Sequence, residues 1–144
     1  MFLRKIMFAI IALSFVCSGS AQSVLGKWKM VDDKNGKARC IVHIYEKDGI
    51  VYGKILELLN PDKKDAVCKD CDDHRKNKKV EGMVVIENMK KAGDKYEGGE
   101  ILNPDSGKFY RCKLWLDEHN SDVLHVRGYL AFFYRTQKWY RIED

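Results

Sequence analysis

Residues 38 to 59 read Ala-Arg-Cys-Ile-Val-His-Ile-Tyr-Glu-Lys-Asp-Gly-Ile-Val-Tyr-Gly-Lys-Ile-Leu-Glu-Leu-Leu, and they decide how the rest of the chain is read. Cys40, Val42 and Ile44 recur at every second position, opposite Arg39, Ile41, His43 and Tyr45. Side chains point alternately to the two faces of a strand, so this spacing predicts a strand with one apolar face. Asp48-Gly49 supplies turn chemistry, and a second strand starts at about Ile50, giving a hairpin.

The same grammar extends in both directions. Residues 24 to 33 form a first strand, closed by Lys34-Asn35-Gly36, where Asn-Gly is expected to supply the positive backbone angles of a tight turn. Beyond a loop at 60 to 79, strands are expected near 80 to 90, 95 to 102, 108 to 116, 122 to 131 and 134 to 142. In the sixth, Tyr110, Cys112, Leu114 and Leu116 share a face; in the seventh, Leu124, Val126, Gly128 and Leu130 do. Met83-Val84-Val85-Ile86 is apolar on both faces, which leaves its orientation open. No segment from residue 22 onward carries a long helical stripe. Eight short strands with tight turns and no crossover helices predict an all-β, antiparallel up-and-down barrel, which removes exposed sheet edges by closing on itself. A β-sandwich is the alternative architecture.

Asn-Pro-Asp occurs twice, at 60 to 62 and 103 to 105, each time directly after an apolar strand. Pro61 and Pro104 lack a ladder donor, so both segments read as strand-ending turns.

The N-terminus has its own logic. Arg4 and Lys5 precede an apolar run from Ile6 to Val16, and the small residues Ser18, Gly19, Ser20 and Ala21 follow. That order is the order of a cleavable signal peptide over residues 1 to 21, with Gln22 as the mature N-terminus and one domain over 22 to 144. A membrane-spanning helix needs about 20 apolar residues, roughly twice this run. No integral membrane span is therefore expected. Cys17 offers a lipoprotein alternative, but Phe15 and Val16 before it are not the small residues an acylation site requires. The formal charge of +5 drops when Arg4 and Lys5 are removed, and the remaining basic residues are mixed with acids. That balance suits solubility and argues against nucleic-acid binding.

Gly26-Lys27-Trp28 on the first strand and Trp139-Tyr140-Arg141 on the last together resemble the calycin superfamily, the lipocalins and their relatives. There, a G-x-W plugs the base of the barrel and a late arginine packs over the tryptophan. The resemblance implies that Trp28 and Arg141 form the barrel closure. A guanidinium over an indole contributes about 0.5 to 2 kcal/mol.

A closer resemblance covers nearly the whole of residues 22 to 144. Gly26-Lys27-Trp28, Tyr52-Gly53-Lys54-Ile55, Cys68-x-x-Cys71, Gly98-Gly99, Asn103-Pro104 with Gly107, and Val126-Arg127-Gly128-Tyr129-Leu130 look like the exported bacterial family known as domain of unknown function 2147. It implies topology and export, and it brings no activity or catalytic residues.

Cys68 and Cys71 lie in the long loop, where 12 of the 20 residues from 60 to 79 are charged. In an oxidising compartment two such thiols form a disulfide. Two alternatives stay open: a metal site on Cys68, Cys71 and His74, lacking an obvious fourth ligand, and a redox dithiol, lacking a helix N-terminus to activate it. Cys40 and Cys112, on inner faces of opposed strands, read as buried free thiols. The serines after residue 21, Ser23, Ser106 and Ser121, sit in no G-x-S-x-G; His43, His74, His119 and His125 form no H-E-x-x-H; and no phosphate loop is present. No catalytic residue and no cofactor is assigned.

Two functional classes follow. A barrel of this size either holds one small apolar or amphipathic ligand or fills with side chains and acts through its surface on an envelope protein. Trp28, Met30, Tyr110 and Trp139 suggest partial filling, while Gly53 and Gly128 are expected to leave room. The outer face carries Tyr45, Tyr52, Phe109, Trp115 and Tyr129 with His43, His125 and Arg127. It reads either as an interface or as cross-strand pairs that stabilise an exposed sheet.

Overall fold

A computed structural model describes residues 22–143. The signal-like segment and Cys17 lie outside the described residues. Eight strands run in order: β1 Gly26–Val31, β2 Ala38–Lys47, β3 Ile50–Leu58, β4 Val84–Ala92, β5 Lys95–Asn103, β6 Lys108–Leu116, β7 Val123–Leu130 and β8 Phe133–Ile142. Each pairs antiparallel with the next, and β1 pairs with β8, so the sheet closes into an eight-stranded up-and-down barrel. The sandwich alternative is set aside by that last pairing. The helical structure among the described residues is one 3₁₀ turn, Pro61–Lys63.

Alternation governs most of the interior. Cys40, Val42 and Ile44 are buried on β2, Cys112 and Leu114 on β6, and Leu124 and Val126 on β7. Each fully buried aliphatic side chain contributes roughly 1.5–3 kcal/mol relative to exposure. β4 departs from the rule. Between Gly53 and Lys54 of β3, and again between Val51 and Gly53, β4 spends one residue more than its partner. Such bulges interrupt the period of two, so Val85 and Ile86 are adjacent and both buried, and Met89 returns to the core after Asn88 at φ 60.

The turns also sort by chemistry. Asp48 and Gly49, at φ 53 and 78, make the tight β2–β3 turn that Asp-Gly favours. The β1–β2 connection differs from the expected two-residue Asn-Gly turn. It spans residues 32 to 37; Gly36 adopts φ 70, and the Asp32 and Lys37 backbones hold its ends.

Asn60 and Asn103 do the same job in the two Asn-Pro-Asp segments. Each side-chain oxygen accepts from the N–H two residues on, 3.0 Å away in both cases. Both segments lie at one end of the barrel, together with the β1–β2 and β7–β8 connections.

Candidate functional site

The two ends of the barrel are built differently. At the closed end, Trp28 and Trp139 are completely buried with Ile44, Val51, Met89, Leu114 and Leu124. Trp28 Nε1 donates to Val24 O at 2.8 Å. The Arg141 guanidinium lies 4.3 Å from the centre of the Trp28 ring, and its Nη atoms donate to the carbonyls of Leu25, Ser23 and Ser121. Its Nε sits 3.2 Å from Asp122, an ion pair without hydrogen-bond alignment. Gly26 serves this packing through its backbone, at φ 124, a conformation that side-chain-bearing residues rarely adopt.

The opposite end is open. A cavity of about 1090 Å³ enters between the β1–β2 connection, the 59–66 segment, the β5–β6 turn and the β7–β8 hairpin. Its deeper wall is apolar, including Met30, Cys40, Ile55, Leu58, Ile101 and Val126. Its rim is polar and mixed in charge. Arg39 pairs with Asp105 at 2.8 Å and with Asp32 at 3.8 Å, and Arg135 pairs with Asp33. An apolar interior behind a polar rim suits a ligand with one apolar and one polar end.

Of the two glycines expected to leave room, Gly128 lines the cavity and Gly53 does not. A Cβ on Gly53 would stand 3.0 Å from Ile86, whose side chain occupies the space. At Gly128 the nearest atom to a Cβ would be Tyr110 Cβ at 3.3 Å, and both residues face the cavity.

Cys68 and Cys71 are bonded to one another and buried. Bonded sulfurs offer no thiolate to a metal, and His74 is exposed beside Asp73 at 3.9 Å. Among the described residues no group of His, Cys, Asp and Glu could hold a metal ion. The loop carrying the disulfide folds onto the β5–β6 turn: Cys68 Sγ is 3.4 Å from the Pro104 carbonyl oxygen, and a Cβ on Gly107 would stand 2.0 Å from Asp70 O. Ala66 and Val80, flanking the disulfide, line the cavity. The staple therefore braces one side of the mouth.

Arg75 is the second brace and was not singled out in the sequence. Its guanidinium lies 5.0 Å from the Phe109 ring centre, donates to Val84 O at 2.9 Å and pairs with Glu87 at 3.4 Å. Phe109 is thus partly roofed by this loop rather than free on the outer face. Cys40 and Cys112 are unbonded and buried. Burial pushes their thiols up, to about 11 and about 12. Cys40 donates to Met30 Sδ at 3.8 Å.

The outer aromatics fall into two groups. Tyr45 stacks on Tyr52 at 5.7 Å with His43 beside it, and Trp115 stacks on His125 at 5.1 Å between Lys95 and Arg127. His125 Nε2 also lies 2.8 Å from the Asp117 carboxylate. Sequence reasoning also missed the β7–β8 tip. Leu130, Phe132, Phe133 and Tyr134 are all exposed there, and the signal for them was an apolar run placed across a turn.

A closed antiparallel eight-stranded barrel, plugged by a tryptophan and an arginine at one end and open at the other, is lipocalin-like in fold. A solved Helicobacter pylori protein described as belonging to the lipocalin family shares it, with a TM-score of 0.71 and 19% identity over 85% of this chain and 84% of that one. The family model for an uncharacterized protein conserved in bacteria (DUF2147) matches residues 26–141, and the chain belongs to that family. No curated protein matches the sequence.

Proposed function

We propose that the protein takes one small apolar or amphipathic molecule into the open end of its barrel. The observation that carries this reading is the cavity of about 1090 Å³, apolar in its depth and polar at its rim. Pockets of about 300–1,000 Å³ are enough for a drug-sized ligand. The apolar part would lie against Ile55, Leu58, Ile101 and Val126, and the polar part would meet Arg39, Arg135 and their carboxylate partners. The reading is one of binding rather than catalysis.

The same reading has the protein exported. Its support is the signal-like order of residues 1 to 21 and a disulfide, which persists in oxidising compartments. Native mass spectrometry after incubation with a mixture of single-chain amphiphiles tests the binding reading. A one-to-one adduct is expected, and no adduct with any chain length would overturn it.

A further inference from the structure

The β7–β8 hairpin presents its apolar residues to solvent at the edge of the open mouth. Phe132 is 98% exposed, Phe133 79%, Tyr134 62% and Leu130 53%. Leu130 pairs with Phe133, leaving Ala131 and Phe132 as the two-residue turn. Such turns favour Asn-Gly or Asp-Gly because they need positive φ, as Asp48-Gly49 shows on β2–β3. Here Ala131 takes φ 53 without a glycine or a polar side chain. The tip is therefore apolar at the positions where folding alone would favour polar turn residues.

The surface behind the tip is aromatic and cationic. Arg127 lies 4.3 Å from the Tyr134 ring centre and 4.9 Å from that of Trp115, and Arg111 lies 5.7 Å from that of Tyr129. Tyr129 and Tyr134 face each other at 6.0 Å. Two neighbouring cations pair with carboxylates, Lys113 with Glu97 and Arg135 with Asp33, while Lys95 lies over the Trp115 ring. Among the described residues, Arg111 and Arg127 form no ion pair with a carboxylate, although Glu100 stands opposite Arg111 in the register; both have aromatic rings as partners, and Arg127 Nε also donates to Thr136 Oγ1 at 2.7 Å. An apolar wedge backed by tyrosines and by arginines outside any ion pair matches the layering of an anionic bilayer, with an acyl boundary below and charged headgroups above. A second copy is a poorer match, since a two-fold contact through this face would set Arg111 and Arg127 near their own counterparts.

We propose that the β7–β8 tip and the basic aromatic face behind it dock the open mouth of the barrel on an anionic phospholipid bilayer. Leu130 and Phe133 line both the tip and the cavity rim, so docking brings the cavity to the acyl boundary. That an amphiphile then passes between bilayer and barrel rests on the cavity reading; the docking itself does not.

Vesicle flotation of the chain from Gln22 onward tests it, using phosphatidylcholine vesicles with and without phosphatidylglycerol. Binding to the anionic vesicles that weakens with salt is expected. Phe132→Asp should lower it at least about tenfold, since a buried Phe contributes that much or more to partition. Arg111→Gln with Arg127→Gln should remove the preference for phosphatidylglycerol. Phe132 does not line the cavity, so binding of a fluorescent fatty acid in vesicle-free solution should be the same in Phe132→Asp as in the wild type. Retained fatty-acid binding without flotation would overturn docking alone, and flotation without fatty-acid binding would overturn the cavity reading alone. A wild-type dimer that Phe132→Asp converts to monomer, with no flotation, would make the tip an interface between copies and end the proposal.

Discussion

Asp73 grips the Arg75 guanidinium with both carboxylate oxygens, Nε at 3.2 and 3.0 Å and Nη2 at 2.5 Å, and so holds a side chain that is only 8% exposed. This local pair fixes the disulfide loop against Phe109 and Glu87, and through it one wall of the cavity mouth.

The pair makes stability acid-sensitive. The hydrogen bonds from Arg75 hold the Asp73 carboxyl down from 3.8 to about 2. A depressed acid stabilises the fold above its unfolded value and loses that contribution as the proton returns. The contribution should thus be complete above about 3.8 and vanish as pH falls through about 2. Thermal unfolding across that window checks it: Asp73→Asn should cost about 1–3 kcal/mol at neutral pH and flatten the acid limb. An unchanged limb would show that Asp73 is not the titrating group.

Trp28 should be the most costly single truncation at the closed end. It is fully buried, donates to Val24 O and supports Arg141. Trp28→Ala should destabilise by about 3–5 kcal/mol. Denaturant melts measure this, and a loss under about 1 kcal/mol would remove the closure from the account of stability.

Thiol counting separates the cysteines. In the chain from Gln22 onward, alkylation without reductant should modify neither Cys40 nor Cys112 until the protein is denatured, and both afterwards. Cys68 and Cys71 should react only after reduction. Modification of Cys40 or Cys112 in the native protein would contradict their burial.

Export predicts a defined N-terminus. Intact-mass analysis of the protein made in a bacterial host should find Gln22 first. An acylated Cys17 would replace this with membrane anchoring.

The strands were legible because one face of each is buried, and a period of two is hard to mistake in Cys40-Val42-Ile44 or Cys112-Leu114. β4 was not, because its two bulges cancel the period that orientation is read from. The room inside the barrel was misread for a related reason. A glycine shows where a side chain is missing, but only the fold shows that Ile86 comes from the neighbouring strand to fill the gap at Gly53 while Gly128 stays on the cavity wall. The brace at Arg75 was hidden among the charges of its loop, where nothing in the sequence separates an anchored guanidinium from a solvated one. Exposure of the β7–β8 tip was equally hidden, since the sequence places the connection at Phe132-Phe133 and the pairing of Leu130 with Phe133 moves the turn one residue back, to Ala131-Phe132.

The central claim is that the open-end cavity, rather than the outer surface, holds the ligand. Titration of a fluorescent fatty acid into the wild type and into two variants of the cavity wall, Ala66→Trp and Leu58→Trp, tests it most directly. Both positions line the cavity and are only partly buried, so an added indole fills cavity space. Saturable binding at one site per barrel, weakened about tenfold or more in both folded variants, is the predicted result; a tenfold change corresponds to about 1.4 kcal/mol. Equal binding in the wild type and both variants, or no saturable binding to the wild type, would contradict it.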